Sequence, residues 1–192
     1  MAEPFIHPDY FEKLYIDNPD PWQFATSDYE RDKYAATIAA LPGRRFTRAF
    51  EVGCSIGILT RQLAAHCDAI LAVDVADAAL RQATDRCAGL PEVKLAHMVV
   101  PGQWPEGTFD LVIFSEVLYY LGIPGLHEAA QRTLASLHPG GVVVLVNWSG
   151  PTDGACTGDE AAELFIADCA PLLRPTVQQR AEKYRLDVLQ AS

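Results

Sequence analysis

The sequence predicts an α/β protein: a doubly wound, mostly parallel sheet of six or seven strands with helices on both faces. Three observations carry that reading. Apolar runs and amphipathic stretches alternate five times with short connections, the pattern of β-α units stacked into a parallel sheet. Two runs, 109–114 and 142–146, are almost uninterrupted by polar residues, as strands covered on both faces require. The first run, 46–52, passes straight into the spacing Gly53-x-x-x-Gly57, a tight turn opening a helix.

In chain order, residues 1–45 read as an N-terminal extension or helical lid. Pro4, Pro8, Pro19 and Pro21 forbid a long helix there, leaving a short one with Tyr10, Phe11, Leu14 and Tyr15 on its apolar face. Asp20-Pro21-Trp22-Gln23-Phe24 sets two large aromatics in a turn, Trp22 either anchoring packing or offering a ligand platform. Thr26 or Ser27 caps a helix running to about Leu41, with Glu30 completing a capping box. Tyr34, Ile38 and Leu41 form its apolar face, and Tyr29, Arg31 and Lys33 lie elsewhere, the charged residues on a solvated face.

Residues 46–149 form the core. Strand 46–52, helix 56–66, strand 69–74, helix 78–88 capped by Asp77, and a weaker strand 93–98 come first. The buried strand 109–114 follows, then a helix opened by Pro124-Gly125, a turn at His138-Pro139-Gly140-Gly141, and the fifth strand 142–146. Residues 150–192 supply a mobile-looking loop at 150–158, a helix at 159–173 and a strand-like tail from Pro175. No Gly, Pro or Asn interrupts 176–190. The tail is therefore either one strand, giving six in all, or a hairpin closed tightly around Glu182-Lys183, giving seven.

The 192 residues read as one domain, long enough to bury a full core. A formal charge of −10 argues against a nucleic-acid partner, which needs clustered Lys and Arg. Five cysteines without a C-x-x-C pair favour neither a disulfide framework nor zinc, and fit reduced thiols in a cytoplasm. No opening segment reads as a secretory leader, and no stretch approaches the ~20 apolar residues of a membrane span. His97, His127 and His138 are scattered singly, and no metal site is predicted.

The candidate site starts at Glu51-Val52-Gly53-Cys54-Ser55-Ile56-Gly57. Asp74 ends the second strand about 20 residues after that turn, where an acid accepts hydrogen bonds from a ribose. A dinucleotide fingerprint needs a third glycine, and Ser55 occupies the middle position. A nucleoside ligand without a pyrophosphate fits better. Ser115-Glu116 closes the fourth strand at its C-terminal end, where open parallel sheets bind ligands.

Glu51-x-Gly53-x-x-x-Gly57, Asp74, Phe109-Asp110-Leu111-Val112 and Leu137-His138-Pro139-Gly140-Gly141 resemble, in order and spacing, the motifs of class I S-adenosylmethionine-dependent methyltransferases. Asp20-Pro21-Trp22, the run Ser27 to Tyr34 and Ser115-Glu116-Val117-Leu118-Tyr119-Tyr120-Leu121 narrow the resemblance to the nodulation-type (NodS) N-methyltransferases. The resemblance implies a Rossmann-like methyltransferase fold, S-adenosyl-L-methionine as cofactor, and transfer to the amine of a deacetylated amino sugar or chitooligosaccharide. A sugar deacetylase acting upstream is the implied partner. A small-molecule N- or O-methyltransferase outside carbohydrate chemistry, and a non-catalytic adenosylmethionine-binding partner protein, stay open as alternatives.

On the same resemblance, Gly53, Cys54, Ser55 and Gly57 shape the turn under the methionine part of the cofactor, with Glu51 before them. Asp74 binds the ribose and Val75 lies beside the adenine. Val99 and Val100 stand where relatives often carry an acid for the adenine amino group, so backbone groups must serve. Trp22, Tyr29 and Arg31 reach the cofactor from the lid, Arg31 pairing with its carboxylate. Ser115 and Glu116 border the cofactor. Glu116 either receives the acceptor's proton or holds the methionine amino group. Tyr119 and Tyr120 line the acceptor side or pack on the sheet, and Trp148 is placed to stack on a sugar ring.

Overall fold

The computed structural model describes residues 6–170 and 172–191. Seven strands form one sheet in the order β3-β2-β1-β4-β5-β7-β6, so the tail is a hairpin and the six-strand alternative falls. The strands are β1 Ala49–Val52, β2 Ile70–Asp74, β3 Val93–His97, β4 Phe109–Ser115, β5 Leu137–Trp148, β6 Leu173–Arg180 and β7 Tyr184–Ala191. The backbone divides into two compact units, His7–Val99 and Val100–Ser192.

In the first unit β1, β2 and β3 pair in parallel, β2 central. The helices are α1 Pro8–Asp17, α2 Asp28–Ala39, α3 Ile58–Leu63 and α4 Asp77–Arg86. Pro8 sits at the start of α1, where a missing N–H is harmless. Tyr15 buries against Ile56, Ala76, Ala78 and Ala79, with Phe11, Phe24 and Ile58 packed around them. Asp77 proves to be the first helical residue of α4; Ala76 is the N-cap and makes no side-chain cap bond. Thr84 of that helix is exposed and its hydroxyl donates back to the Leu80 carbonyl.

Two expectations for α2 fail. Ser27 accepts from the Glu30 N–H, but Glu30 turns away from the reciprocal bond and pairs with Lys33. Lys33 is only 2% exposed, and its Nζ lies 2.9 Å from Glu30 Oε2 and 5.1 Å from the Tyr29 ring centre. Pairing and a ring face let this cation leave the solvated side.

In the second unit β4 and β5 are parallel, while β7 runs antiparallel to both β5 and β6. Helices α5 Gly122–Ser136 and α6 Gly158–Cys169 complete it. The Pro-Gly-Gly turn lies within β5: Phe109 pairs with Leu137 and Leu111 with Val142, so the intervening residues bulge out, Gly140 at φ +74°. The β6–β7 hairpin closes through Ala181 N–H to the Tyr184 carbonyl, around the Glu182-Lys183 pair. Helix α6 ends at Cys169, short of the expected 173, because β6 begins at Leu173. It opens with the full capping box that α2 lacks, Thr157 and Glu160 bonding reciprocally.

Residues 150–157 form a strap pinned at several points. Ala155 N–H donates to the Tyr119 carbonyl, and Thr152 donates to the Cys156 carbonyl. A Cβ on Gly154 would lie 2.0 Å from the Tyr119 oxygen, so glycine alone lets the strap lie so close. Cys156 on this strap is half-buried, whereas Cys54, Cys67, Cys87 and Cys169 are buried.

Candidate active site

The first unit supplies a nucleoside cradle. β1 ends in a turn whose residues alternate into left-handed backbone: Gly53 at φ +76°, Ser55 at +51°, Gly57 at +78°. Ser55, where a dinucleotide fingerprint has glycine, takes that conformation with two anchors. Its N–H donates to Asp74 Oδ2 at 2.8 Å, and its hydroxyl bonds the Tyr15 hydroxyl. Asp74 Oδ1 accepts from the Ala76 N–H at 3.0 Å. Gly53 and Cys54 N–H both donate to the Val73 carbonyl, tying the turn to the end of β2. A Cβ on Gly57 would press on Ala83 at 3.0 Å, so the start of α3 approaches α4 closely there.

Burial raises the Asp74 carboxyl, opposed by the N–H groups of Ala76, Ser55 and Val75. Glu51, fully enclosed beside it, is pushed up to about 7 by burial first and by the Asp74 charge. Its Oε2 is buried without a hydrogen-bond partner. Such an atom costs stability until a donor reaches it.

Tyr15 was read only as an apolar residue of α1. Its hydroxyl is the part sequence reasoning missed: it ties the extension to the turn at Ser55. Burial, and then the Asp74 charge, push that hydroxyl well up, so it stays protonated. Trp22 packs edge-on against Tyr15 at 5.7 Å and tilts over Phe24, and it keeps 38% of its surface exposed. Arg31 is exposed and paired with Asp28 and Asp32. Tyr29 and Val75 are half-buried, as is Val99 at the end of this unit.

The second unit holds the other cluster, with Val100 buried at its start. Ser115 ends β4 and is half-buried; Glu116 follows at φ +60°, a left-handed conformation unusual for this residue type. The Tyr119 hydroxyl and the Trp148 N–H both donate to Glu116 Oε2, each at 2.7 Å. Tyr119 is buried and its ring lies 4.5 Å from that of half-buried Tyr120. Gly150 lies so close to the Trp148 indole that a Cβ would meet it at 2.4 Å, so the strap covers part of that ring. Among the described residues, no group of three or more His, Cys, Asp or Glu is placed to hold a metal ion. No described helix is long and apolar enough to cross a membrane.

Comparison with known proteins gives a consistent result. The family model "Nodulation protein S (NodS)" matches residues 9–157. Nodulation protein S of Rhizobium tropici is 33% identical over 127 residues, 65% of this chain and 53% of that protein. The chain thus spans about half the length of the curated relatives it matches. A crystal structure of the N-methyltransferase NodS from Bradyrhizobium japonicum WM9 is 26% identical with a TM-score of 0.72, covering 91% of this chain and 98% of that one. The same enzyme in complex with S-adenosyl-L-homocysteine superposes with a TM-score of 0.81 at 21% identity over 97% and 99% of the two chains, a likeness of fold.

Proposed function

Since the chain belongs to the nodulation protein S family, we propose that it transfers a methyl group from S-adenosyl-L-methionine to the free amine of a deacetylated amino sugar or chitooligosaccharide. The observation that carries the cofactor assignment is the pair of enclosed carboxylates at the left-handed turn. Asp74 gives up to three of about four lone-pair positions to the backbone N–H groups of Ser55, Val75 and Ala76, which leaves capacity for a ribose hydroxyl. The unpartnered Glu51 Oε2 suits an α-ammonium group. The residues present fit the cofactor. When bound, it supplies a sulfonium methyl open to in-line displacement by a neutral amine.

Gly53, Cys54, Ser55 and Gly57 let the backbone approach the methionine portion, and Val75 packs beside the adenine. Backbone groups of Val99 and Val100 take the place of an acid at the adenine edge. Tyr29 and Arg31 reach in from α2, Arg31 exchanging its Asp28 or Asp32 partner for a carboxylate. Glu116, beside Ser115, orients the acceptor as an ammonium and takes its proton, directly or through a water. Tyr120 and Trp148 offer ring faces to a sugar. A sugar deacetylase acting upstream supplies the free amine.

Release of S-adenosyl-L-homocysteine with a glucosamine-terminated oligosaccharide, and none with phenols or carboxylates, is the expected result. Turnover confined to phenols or carboxylates would place the acceptor elsewhere. Cofactor binding with no release from any amine would make the protein a non-catalytic binder. Asp74→Ala should weaken calorimetric affinity for S-adenosyl-L-methionine by at least ~1 kcal/mol through lost ribose hydrogen bonds. Unchanged affinity would remove Asp74 from the site.

A further inference from the structure

We infer that Tyr119 is a positioning residue for Glu116, acting through its hydroxyl and not through its ring as part of the acceptor surface. The inference rests on the proposed role of Glu116 in receiving the acceptor's proton.

Glu116 leaves β4 in a left-handed conformation that costs a non-glycine residue on the order of 1–3 kcal/mol and is kept where the surroundings over-determine it. The surroundings here are specific. Two donors converge on one oxygen, Oε2: the Tyr119 hydroxyl and the Trp148 N–H, each at 2.7 Å. Trp148 contributes a backbone group at the end of β5, so its position is set by the sheet. Tyr119 contributes a side chain, so its position must be set otherwise.

The strap does this. Ala155 N–H holds the Tyr119 carbonyl at 3.1 Å, and the Gly154 backbone lies against the same carbonyl more closely than any side chain would permit. Tyr119 is thus held at its carbonyl by the strap and at its hydroxyl by Glu116. Its ring is buried and tilted at 58° against that of Tyr120, the more exposed of the two. A buried ring has little surface to offer a ligand; a hydroxyl donating to a carboxylate still has work to do. Burial, and then the Glu116 charge, push the Tyr119 hydroxyl well up, which keeps it a donor across the working pH range. With both donors on Oε2, the carboxylate plane is fixed, and an incoming amine meets one defined geometry instead of a rotating side chain.

Tyr119→Phe preserves the ring and removes only the hydroxyl. It should lower kcat at saturating amine by about tenfold, the scale of one lost hydrogen bond to a charged group, while calorimetric affinity for S-adenosyl-L-methionine stays within about twofold. The decisive measurement is a double-mutant cycle. Glu116→Gln keeps an amide oxygen that accepts both bonds, so it should fold and be slow. Adding Tyr119→Phe to it should cost less than about twofold more, because the hydroxyl acts only through the carboxylate. A slow Glu116→Gln beside a Tyr119→Phe enzyme as fast as wild type overturns the inference alone, as does a second full tenfold loss in the double variant. A Glu116→Gln enzyme as fast as wild type removes the proposed role of Glu116, and the inference with it.

Discussion

The carboxyl of Glu51 is enclosed completely, and burial raises it to about 7 from an ordinary value of 4.5. The folded protein therefore holds a proton that the unfolded chain has released between roughly those two values. Stability falls as pH rises through that window, and above it the ionised carboxylate, with no donor on its Oε2, carries the full cost. Glu51→Gln should accordingly stabilise the ligand-free protein at pH 8, by up to about 3 kcal/mol at 1.36 kcal/mol per unit, and hardly at all at pH 4. Thermal melts at the two pH values measure this; an equal gain at both would mean that titration of Glu51 is not the cause. The sequence marked Glu51 as the acid leading the turn, because residue type and spacing are local. That no donor reaches its Oε2 was illegible, since that depends on what every neighbouring element places around it.

Among the elements, α2 shows where pattern reading misleads. An i, i+3 charged pair on a helix reads as a solvated face, yet Glu30 and Lys33 are buried together. Removing one partner strands the other's charge out of water, so Lys33→Ala should destabilise the fold by about 3 kcal/mol. Replacing both, as Glu30→Met with Lys33→Met, should recover most of that in denaturant unfolding. If the double variant is no better than the single, the pair contributes something beyond mutual neutralisation. The strands were more legible than the helix faces. The runs at 109–114 and 142–146 announce themselves by continuous apolar character. The β6–β7 hairpin did not, because Ala181, Glu182 and Lys183 carry none of the usual turn chemistry and the register across β5 decides the matter.

For the whole molecule, fold class and family followed from motifs that each unit carries within a few residues: the glycine turn with Asp74, and Ser115-Glu116. What stayed hidden are links between residues distant in sequence, Tyr15 with Ser55 and Trp148 with Glu116, which only folding brings within hydrogen-bond reach. The cysteines have the same character: as a count they spoke only of compartment, but their placement says more. Cys54, Cys67, Cys87 and Cys169 are buried, and burial raises the Cys54, Cys87 and Cys169 thiols, Cys169 to about 12. Thiolate is the reactive form, so a maleimide dye at neutral pH should modify the native protein once, at Cys156, and all five positions only after unfolding; intact mass before and after denaturant reads this directly. The strap thus comes with its own attachment point, and a fluorophore placed there would report, in real time and without an engineered substitution, whether the segment that grips Tyr119 shifts when a sugar arrives.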